Sequence, residues 1–156
     1  MAIAVYPGSF DPFTYGHLDI AIRAAKMFET VHIVVVHNPA KKPRFTATQR
    51  VQMITEVLAG KPGNFVVNSF DNGLLVDYCK TVNADALVKG VRTNVDLDYE
   101  LPMAQVNRDL SGIETIFIPA DPTHGFVSSS LVKQVFDLGG DISKYVPAEV
   151  VKALSK

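Results

Sequence analysis

Residues 6–17, which read YPGSFDPFTYGH, constrain the fold of this chain more than any other stretch. The apolar run at 2–5 is typical of a buried strand, and residues 18–28 carry apolar side chains at helical spacing. The prolines, glycines and short polar residues between them indicate a fixed, irregular loop. A strand, a rigid loop and a helix that begins at Gly16 and His17 make an anion site, because free N–H groups and the positive end of the helix dipole point at whatever lies over the loop.

Strands and helices alternate along the rest of the chain. Apolar runs predict strands at 31–36, 65–67, 86–88 and 113–118, and periodic segments predict helices at 73–82, 96–110, 128–138 and 147–154. A further helix begins at Thr46 or Thr48, either of which can cap it, and Gly60 to Gly63 end it. The alternation predicts a single domain over 1–156 with an α/β, Rossmann-like fold, in which helices cover both faces of an open five-stranded parallel sheet.

One proline conflicts with this reading. Pro102 falls inside the predicted helix 96–110, where it removes a donor and clashes with the preceding turn. We therefore expect the helix to begin near Asp98 or to kink there, which leaves the direction of Glu100 open.

Composition argues against several classes of protein. The 15 Lys and Arg against 16 Asp and Glu give a formal net charge of −1, so no nucleic-acid partner is expected. No apolar run approaches the length of a membrane span, and no membrane partner is expected. The N-terminus lacks a signal pattern and the single cysteine, Cys79, fits a reducing compartment, so the predicted location is cytoplasmic.

Most of the distinctive side chains follow four of the five predicted strands. Ser9 and His17 follow the first, Lys41 the second, residues 89–93 the fourth and residues 124–130 the fifth. Parallel strands bring these segments to one edge of the sheet, where cations, hydroxyls, a histidine and helix N-termini together suit phosphates. Motifs for a P-loop, a dinucleotide fingerprint, a zinc protease and a serine-nucleophile elbow do not occur, so those chemistries are poorly supported.

Five ordered motifs resemble the phosphopantetheine adenylyltransferase family of the nucleotidyltransferase superfamily. Residues 14–17, TYGH, match the superfamily signature (T/H)-x-G-H. The segments at 6–12, 38–43, 89–92, 98–100 and 126–133 follow in the order and spacing of the family, over essentially the whole chain.

The resemblance implies adenylyl transfer from ATP to 4′-phosphopantetheine, which gives dephospho-coenzyme A and pyrophosphate by in-line attack without a covalent enzyme intermediate. It implies that His17 stabilises the transition state at the α-phosphate, that Ser9 touches both substrates and that Lys41 takes part in catalysis. The implied acceptor site comprises Ser9, Lys41, Leu75 and Lys89. The implied ATP site comprises Ser9, Phe10, His17, Gly90, Val91, Arg92, Glu100, His124, Gly125, Phe126, Val127, Ser128, Ser129 and Ser130.

The resemblance also implies Mg²⁺ as cofactor, bridging phosphate oxygens with no assigned protein ligand, and a cytoplasmic homohexamer in coenzyme A synthesis. Two alternatives stay open. One is a related nucleotidyltransferase that uses another phosphate acceptor or CTP. The other is a non-catalytic nucleotide-binding module, since open α/β folds host many such proteins.

Overall fold

The computed structural model describes residues 2–156, and the alternation predicted from the sequence is confirmed there. Within that range it has five strands and six helices, in the order β1 (Ile3–Gly8), α1 (Tyr15–Ala24), β2 (Thr30–Val36), α2 (Ala47–Leu58), β3 (Phe65–Phe70), α3 (Leu75–Thr81), β4 (Ala86–Val91), α4 (Asn94–Ser111), β5 (Glu114–Pro119), α5 (Ser129–Asp137) and α6 (Ala148–Leu154).

The five strands form one parallel sheet in the order β3-β2-β1-β4-β5, as expected for a Rossmann-like fold. Successive side chains of a strand point to opposite faces, so Ile33 and Val35 enter one core and Val34 the other. The strand order reverses between β1 and β4, whose carboxyl ends therefore border the crevice in which such folds bind ligands.

Three strands run three residues beyond their predicted ends. The third strand ends at Phe70 rather than at Val67, and the extensions of the other two change where site residues lie. The first extends to Gly8 rather than to Val5, and the fourth extends to Val91 rather than to Val88. Lys89 and its neighbours are therefore held by the sheet instead of a loop. Helix α1 begins at Tyr15 and places His17 in its first turn.

Of the two outcomes expected from Pro102, a start of α4 near Asp98 is wrong, whereas a kink there stays a prediction. The helix begins at Asn94, because the Thr93 hydroxyl accepts a hydrogen bond from the Asp96 N–H at 3.2 Å and caps it. Pro102 lies inside the helix on an exposed surface, where water can bond the Asp98 carbonyl that lacks its usual donor. Across residues 2–156, none of the helices has both the length and the apolar content that crossing a membrane requires.

Candidate active site

A cleft of about 490 Å³ opens at the carboxyl ends of the strands. The loops after β1, β2 and β5, the end of β4 and the N-termini of α1 and α5 all contribute to it, as the parallel topology predicts. It brings together thirteen predicted site residues, namely Ser9, Phe10, His17, Lys41, Lys89, Gly90, Arg92, Glu100, His124, Val127, Ser128, Ser129 and Ser130.

Four other predicted site residues do not line this cleft, and their roles stay predictions. Val91 ends β4, and its carbonyl accepts the Ala120 N–H at 2.8 Å. Leu75 begins α3 and packs against the core that contains Val34, on one face of the sheet. Gly125 and Phe126 lie in the turn before α5, where the Phe126 side chain is 63% exposed.

The side chain of His17 is oriented by the cap of its own helix. The Thr14 N–H donates to His17 Nδ1 at 3.0 Å, while the Thr14 hydroxyl accepts the His17 N–H at 3.3 Å. This reciprocal arrangement is a capping box with histidine in the place usually taken by Glu or Gln. Since Nδ1 accepts a backbone proton, the neutral ring carries its own proton on Nε2, which leaves an N–H donor for the cleft.

The ring of His17 is neutral at physiological pH. It stacks on Phe13 with ring centroids 5.5 Å apart and meets the edge of Phe10 at 5.0 Å. Burial first, and then the positive charges of Arg92 and Lys89, lower the pKa of His17 to about 4. His17 is therefore a fixed, uncharged donor rather than a cation.

Gly8 of β1 and Gly90 of β4 let side chains of the first loop and of α1 pack directly against the backbone of the strand ends. A Cβ at Gly8 would lie 2.8 Å from the Phe10 ring, and one at Gly90 would lie 3.0 Å from Ile20 of α1. Phe10 has a φ of 49° and folds its ring back over the end of β1, where it is buried. The small residues thus let the first loop and α1 lie directly on the strand ends.

Most cations of the cleft are paired with carboxylates. Lys89 Nζ lies 3.1 Å from Glu100, and Arg92 Nε lies 3.1 Å from Asp96. Lys41 differs, since it is exposed on the loop between β2 and α2 and has no carboxylate within 4.0 Å among residues 2–156. The field of the cleft therefore suits an anion at Lys41 most directly.

Asp11, Arg50 and Lys133 are among the polar residues of the cleft that sequence reasoning did not assign to the site. Asp11 is 6% exposed, and its carboxylate lies 3.0 Å from Lys133 Nζ of α5. Arg50 is 4% exposed and donates to the Ser9 carbonyl at 2.8 Å. One signal was available for Arg50, because it precedes Ile54 by four residues and so shares the apolar stripe of α2, an unusual position for a charge.

The protein itself offers little to a metal ion. Within the described range 2–156, no three His, Cys, Asp or Glu side chains come together as metal ligands. The three carboxylates that line the cleft, those of Asp11, Asp96 and Glu100, are each paired with a cation.

Comparison with known sequences points to one family. Residues 5–135 match the family described as cytidylyltransferase-like. A protein of Clavibacter michiganensis subsp. michiganensis named phosphopantetheine adenylyltransferase is 54% identical over 155 residues, which cover 98% of this chain and 95% of that protein. Proteins of the same name from Leifsonia xyli subsp. xyli and Streptomyces coelicolor are 54% and 51% identical, covering 98% and 100% of this chain and 97% of each relative.

Solved structures share the fold at low identity. A nicotinic acid mononucleotide adenylyltransferase of Plasmodium falciparum, complexed with NaAD, superposes with a TM-score of 0.68 at 16% identity over 97% of this chain and 95% of that one. A bifunctional NMN adenylyltransferase/ADP ribose pyrophosphatase of Francisella tularensis gives 0.72 at 19% identity over 99% of this chain and 48% of that one. These likenesses bear out the fold class predicted from the sequence.

Proposed function

We propose that this chain transfers the adenylyl group of ATP to 4′-phosphopantetheine by direct in-line attack. The proposal starts from the fact that the chain belongs to the phosphopantetheine adenylyltransferase family. The products are dephospho-coenzyme A and pyrophosphate. The observation that carries the activity is similarity above 50% identity to proteins of that name along nearly the whole chain. The cleft supports the mechanism, because it collects hydroxyls, cations and two helix N-termini without a built nucleophile.

The chemistry needs positioning more than activation. An oxygen of the acceptor phosphate, already an anion, forms the new bond to the α-phosphorus of ATP, and the bond to the pyrophosphate leaving group breaks. No proton has to be removed from the attacking group, so neither a protein nucleophile nor a strong base is required. Alignment of the two phosphates and stabilisation of the charge that builds between them supply the rate.

His17 is the residue best placed to stabilise that charge. Its Nε2–H donates to a non-bridging oxygen of the α-phosphate, while Thr14 holds Nδ1 and so fixes the ring. Because the pKa of the protonated His17 ring is about 4, the ring is neutral near pH 7, and a neutral imidazole does not give up its remaining Nε2 proton.

The cations divide between the two substrates. Lys41 and Lys89 hold the acceptor phosphate with the Ser9 hydroxyl, and Arg92 with residues 128–130 binds ATP. The Ser128 hydroxyl accepts the Leu131 N–H at 3.0 Å, so the cap leaves the earlier N–H groups of α5 for phosphate oxygens. Glu100 pairs with Lys89 at 3.1 Å and thereby joins a residue assigned to ATP with one assigned to the acceptor.

Mg²⁺ is proposed to arrive with ATP, on phosphate oxygens rather than on side chains. The paired carboxylates of the cleft support this arrangement, which Mg²⁺ commonly adopts with nucleotides. When bound, it neutralises charge on the leaving pyrophosphate.

The proposed assembly is a homohexamer in the cytoplasm. Helix α4 has a stripe of apolar residues at helical spacing that are 49–79% exposed, namely Val95, Tyr99, Met103, Val106 and Leu110. A stripe of this size is typical of a surface that another copy covers. Cys79 is a free, buried thiol, consistent with a reducing compartment.

The test is pyrophosphate release from ATP with Mg²⁺, comparing 4′-phosphopantetheine with pantetheine, which lacks the acceptor phosphate. Turnover with the phosphorylated compound alone is expected. Turnover with neither compound, in protein that still binds ATP, would contradict the proposal. A panel of other phosphate acceptors and CTP then identifies a related transferase, and binding without turnover across the panel identifies a non-catalytic module.

A further inference from the structure

Asp11 holds together two segments of the cleft that are far apart in sequence. It belongs to residues 9–14 between β1 and α1, here called the Ser9 loop, and contacts residues 37–46 between β2 and α2, here called the Lys41 loop. Its carboxylate accepts the backbone N–H of Arg44 at 2.8 Å and that of Phe45 at 3.0 Å. A third bond comes from Lys133 of α5 at 3.0 Å.

Arg50 of α2 also joins the two loops, but it donates to backbone carbonyl groups, whereas Asp11 accepts from backbone N–H groups. Its Nε donates to the Phe45 carbonyl at 3.0 Å and its Nη1 donates to the Ser9 carbonyl at 2.8 Å. Both backbone groups of Phe45 are therefore held, the N–H by Asp11 and the carbonyl by Arg50. The two side chains together, called the Asp11–Arg50 clamp, close a buried polar ring between the Ser9 loop and the Lys41 loop.

Both side chains of the clamp are charged and buried, and the Asp11 carboxylate is ion-paired with Lys133 of α5. Burial raises the pKa of the Asp11 carboxyl, but the bonds from Arg44, Phe45 and Lys133 outweigh it, and the net shift is downward. Asp11 is therefore a carboxylate at neutral pH. Hydrogen bonds between backbone groups and such charged side chains resist displacement more than bonds between neutral groups, because breaking them would leave a buried charge without a partner.

Apart from the clamp, the Lys41 loop is fixed mainly by the side chain of Phe45, which is buried in the core. Residues 39–44 are exposed, and Lys41 lies four residues before the clamped Phe45. The loop also reaches α5 through the ion pair between Arg44 and Asp137, but that pair is exposed, and exposed pairs hold weakly. The Phe45 side chain anchors the end of the loop in the core, and the clamp ties the backbone at that end to the Ser9 loop.

We infer that Asp11 and Arg50 are positioning residues for the transfer reaction, which set the distance from the acceptor phosphate held at Lys41 to the α-phosphate over the Ser9 loop. The inference rests on the proposed function of the cleft. In-line attack needs the two reacting atoms at contact distance, and a displacement of 1 Å costs on the order of a hundredfold in rate. Neither residue has to touch a substrate to act in this way.

Asp11→Asn tests the clamp with little change of volume. The amide keeps one acceptor oxygen but turns an NH₂ group toward a donor. The variant therefore loses either the bond from Phe45 at Oδ1 or both bonds at Oδ2, from Arg44 and Lys133. Looser placement of Lys41 is expected to raise KM for 4′-phosphopantetheine about tenfold and to lower kcat about tenfold, with KM for ATP changed less than about threefold. Arg50→Lys, which keeps the charge but cannot bridge Phe45 and Ser9 together, should give the same pattern.

Asp137→Asn is the matched control, because it makes the same chemical change in the exposed ion pair to Arg44. It should change every kinetic constant less than about twofold. A purely structural role for the clamp would lower the melting temperature and the active fraction of the variants without separating the two KM values. Unchanged KM for 4′-phosphopantetheine in folded variants, or equal rises for both substrates, would overturn the inference.

Wild-type turnover in the same assay separates failure of this inference from failure of the proposed function. If the wild type shows no turnover, calorimetric binding of 4′-phosphopantetheine to the same variants gives the comparison. If neither variant folds, amide hydrogen exchange of the wild-type protein tests whether the clamp holds the Lys41 loop. The Arg44 amide should then exchange about a hundredfold more slowly than that of Lys42, and equal rates would reject the clamp.

Discussion

His17 combines a structural and a chemical role in one ring, and substitutions can separate them. His17→Ala is expected to cut turnover at least about a hundredfold, because it removes a transition-state donor, and to change ATP binding much less. It should also cost about 1 kcal/mol of stability, because the Thr14 N–H loses its partner. Pyrophosphate release, ATP titration and denaturant unfolding measure the three effects.

The matched variant is His17→Gln. In α2 the same capping position is filled by Gln49, whose side-chain oxygen accepts the Thr46 N–H at 2.8 Å. A glutamine in place of His17 should therefore restore the cap and the stability, whereas turnover stays at least about tenfold down because no imidazole Nε2–H is present. Full recovery of turnover in this variant would show that capping, not donation, is what the reaction needs.

The depressed pKa of His17 also predicts how stability depends on pH. The unfolded chain takes up this proton near pH 6.5 and the folded protein only near pH 4, so protonation favours the unfolded state between these values. The stability that the neutral His17 ring contributes is fully present above about pH 6.5 and falls as the pH drops toward 4. The loss should be on the order of 2 kcal/mol, which is less than the full pKa difference would give, because one edge of the ring faces the cleft.

Denaturant unfolding of the wild type and of His17→Gln, at pH 7 and pH 4.5, isolates this contribution, since Gln does not titrate. On acidification the wild type should lose unfolding free energy relative to His17→Gln, because only the wild type takes up a proton at this position. A difference that is independent of pH would mean that His17 titrates normally in the folded protein.

At the scale of elements, helix caps decide where helices begin. The sequence left Thr46 and Thr48 as equal candidates for the start of α2, and the structure selects Thr46, whose hydroxyl accepts the Gln49 N–H at 3.1 Å. Thr46→Ala should lower the free energy of unfolding by about 1 kcal/mol. Thr48→Ala, inside the first turn, should change it by less than about 0.5 kcal/mol.

Thermal and denaturant melts of these two variants measure the difference directly. Equal losses would assign the effect to side-chain packing and not to the cap. The cap also bears on function, since α2 carries Arg50 and a shifted start would move one half of the Asp11–Arg50 clamp.

At the scale of the whole molecule, the exposed stripe of α4 predicts self-association. Val106→Glu would place a carboxylate in a contact between copies, where it has no partner, and should weaken association at least about a hundredfold. Light scattering on size-exclusion fractions should show a fall in mass. Gln105→Glu, which adds the same charge beside the stripe, should leave the mass unchanged.

An unchanged mass for Val106→Glu would place the contact elsewhere, and a monomeric wild type at the same concentration would remove the hexamer proposal altogether. Val95 and Tyr99 belong to the stripe and also line the cleft. Loss of association is therefore expected to reduce turnover as well, and activity measured across a dilution series tests that link.

Sequence patterns were enough to predict the alternation of elements, the parallel sheet and the loops that meet in the cleft. This was possible because strand and helix periodicity, proline, glycine and cap residues act over a few neighbouring positions. The ordered motifs also identified thirteen of the residues that line the cleft. His17 was recognised in this way, although its tautomer and low pKa were not.

Contacts between groups that are distant in the sequence became visible only in the folded protein. The bonds from Phe45 to Asp11 and from Arg50 to Ser9 join residues 34 and 41 positions apart, and no local pattern specifies such pairs. The low pKa of His17 likewise arises from burial and from Arg92 and Lys89 on another strand end. The physical reason is common to both cases: burial and charge depend on which segments the sheet order brings together, and that order is a property of the folded chain.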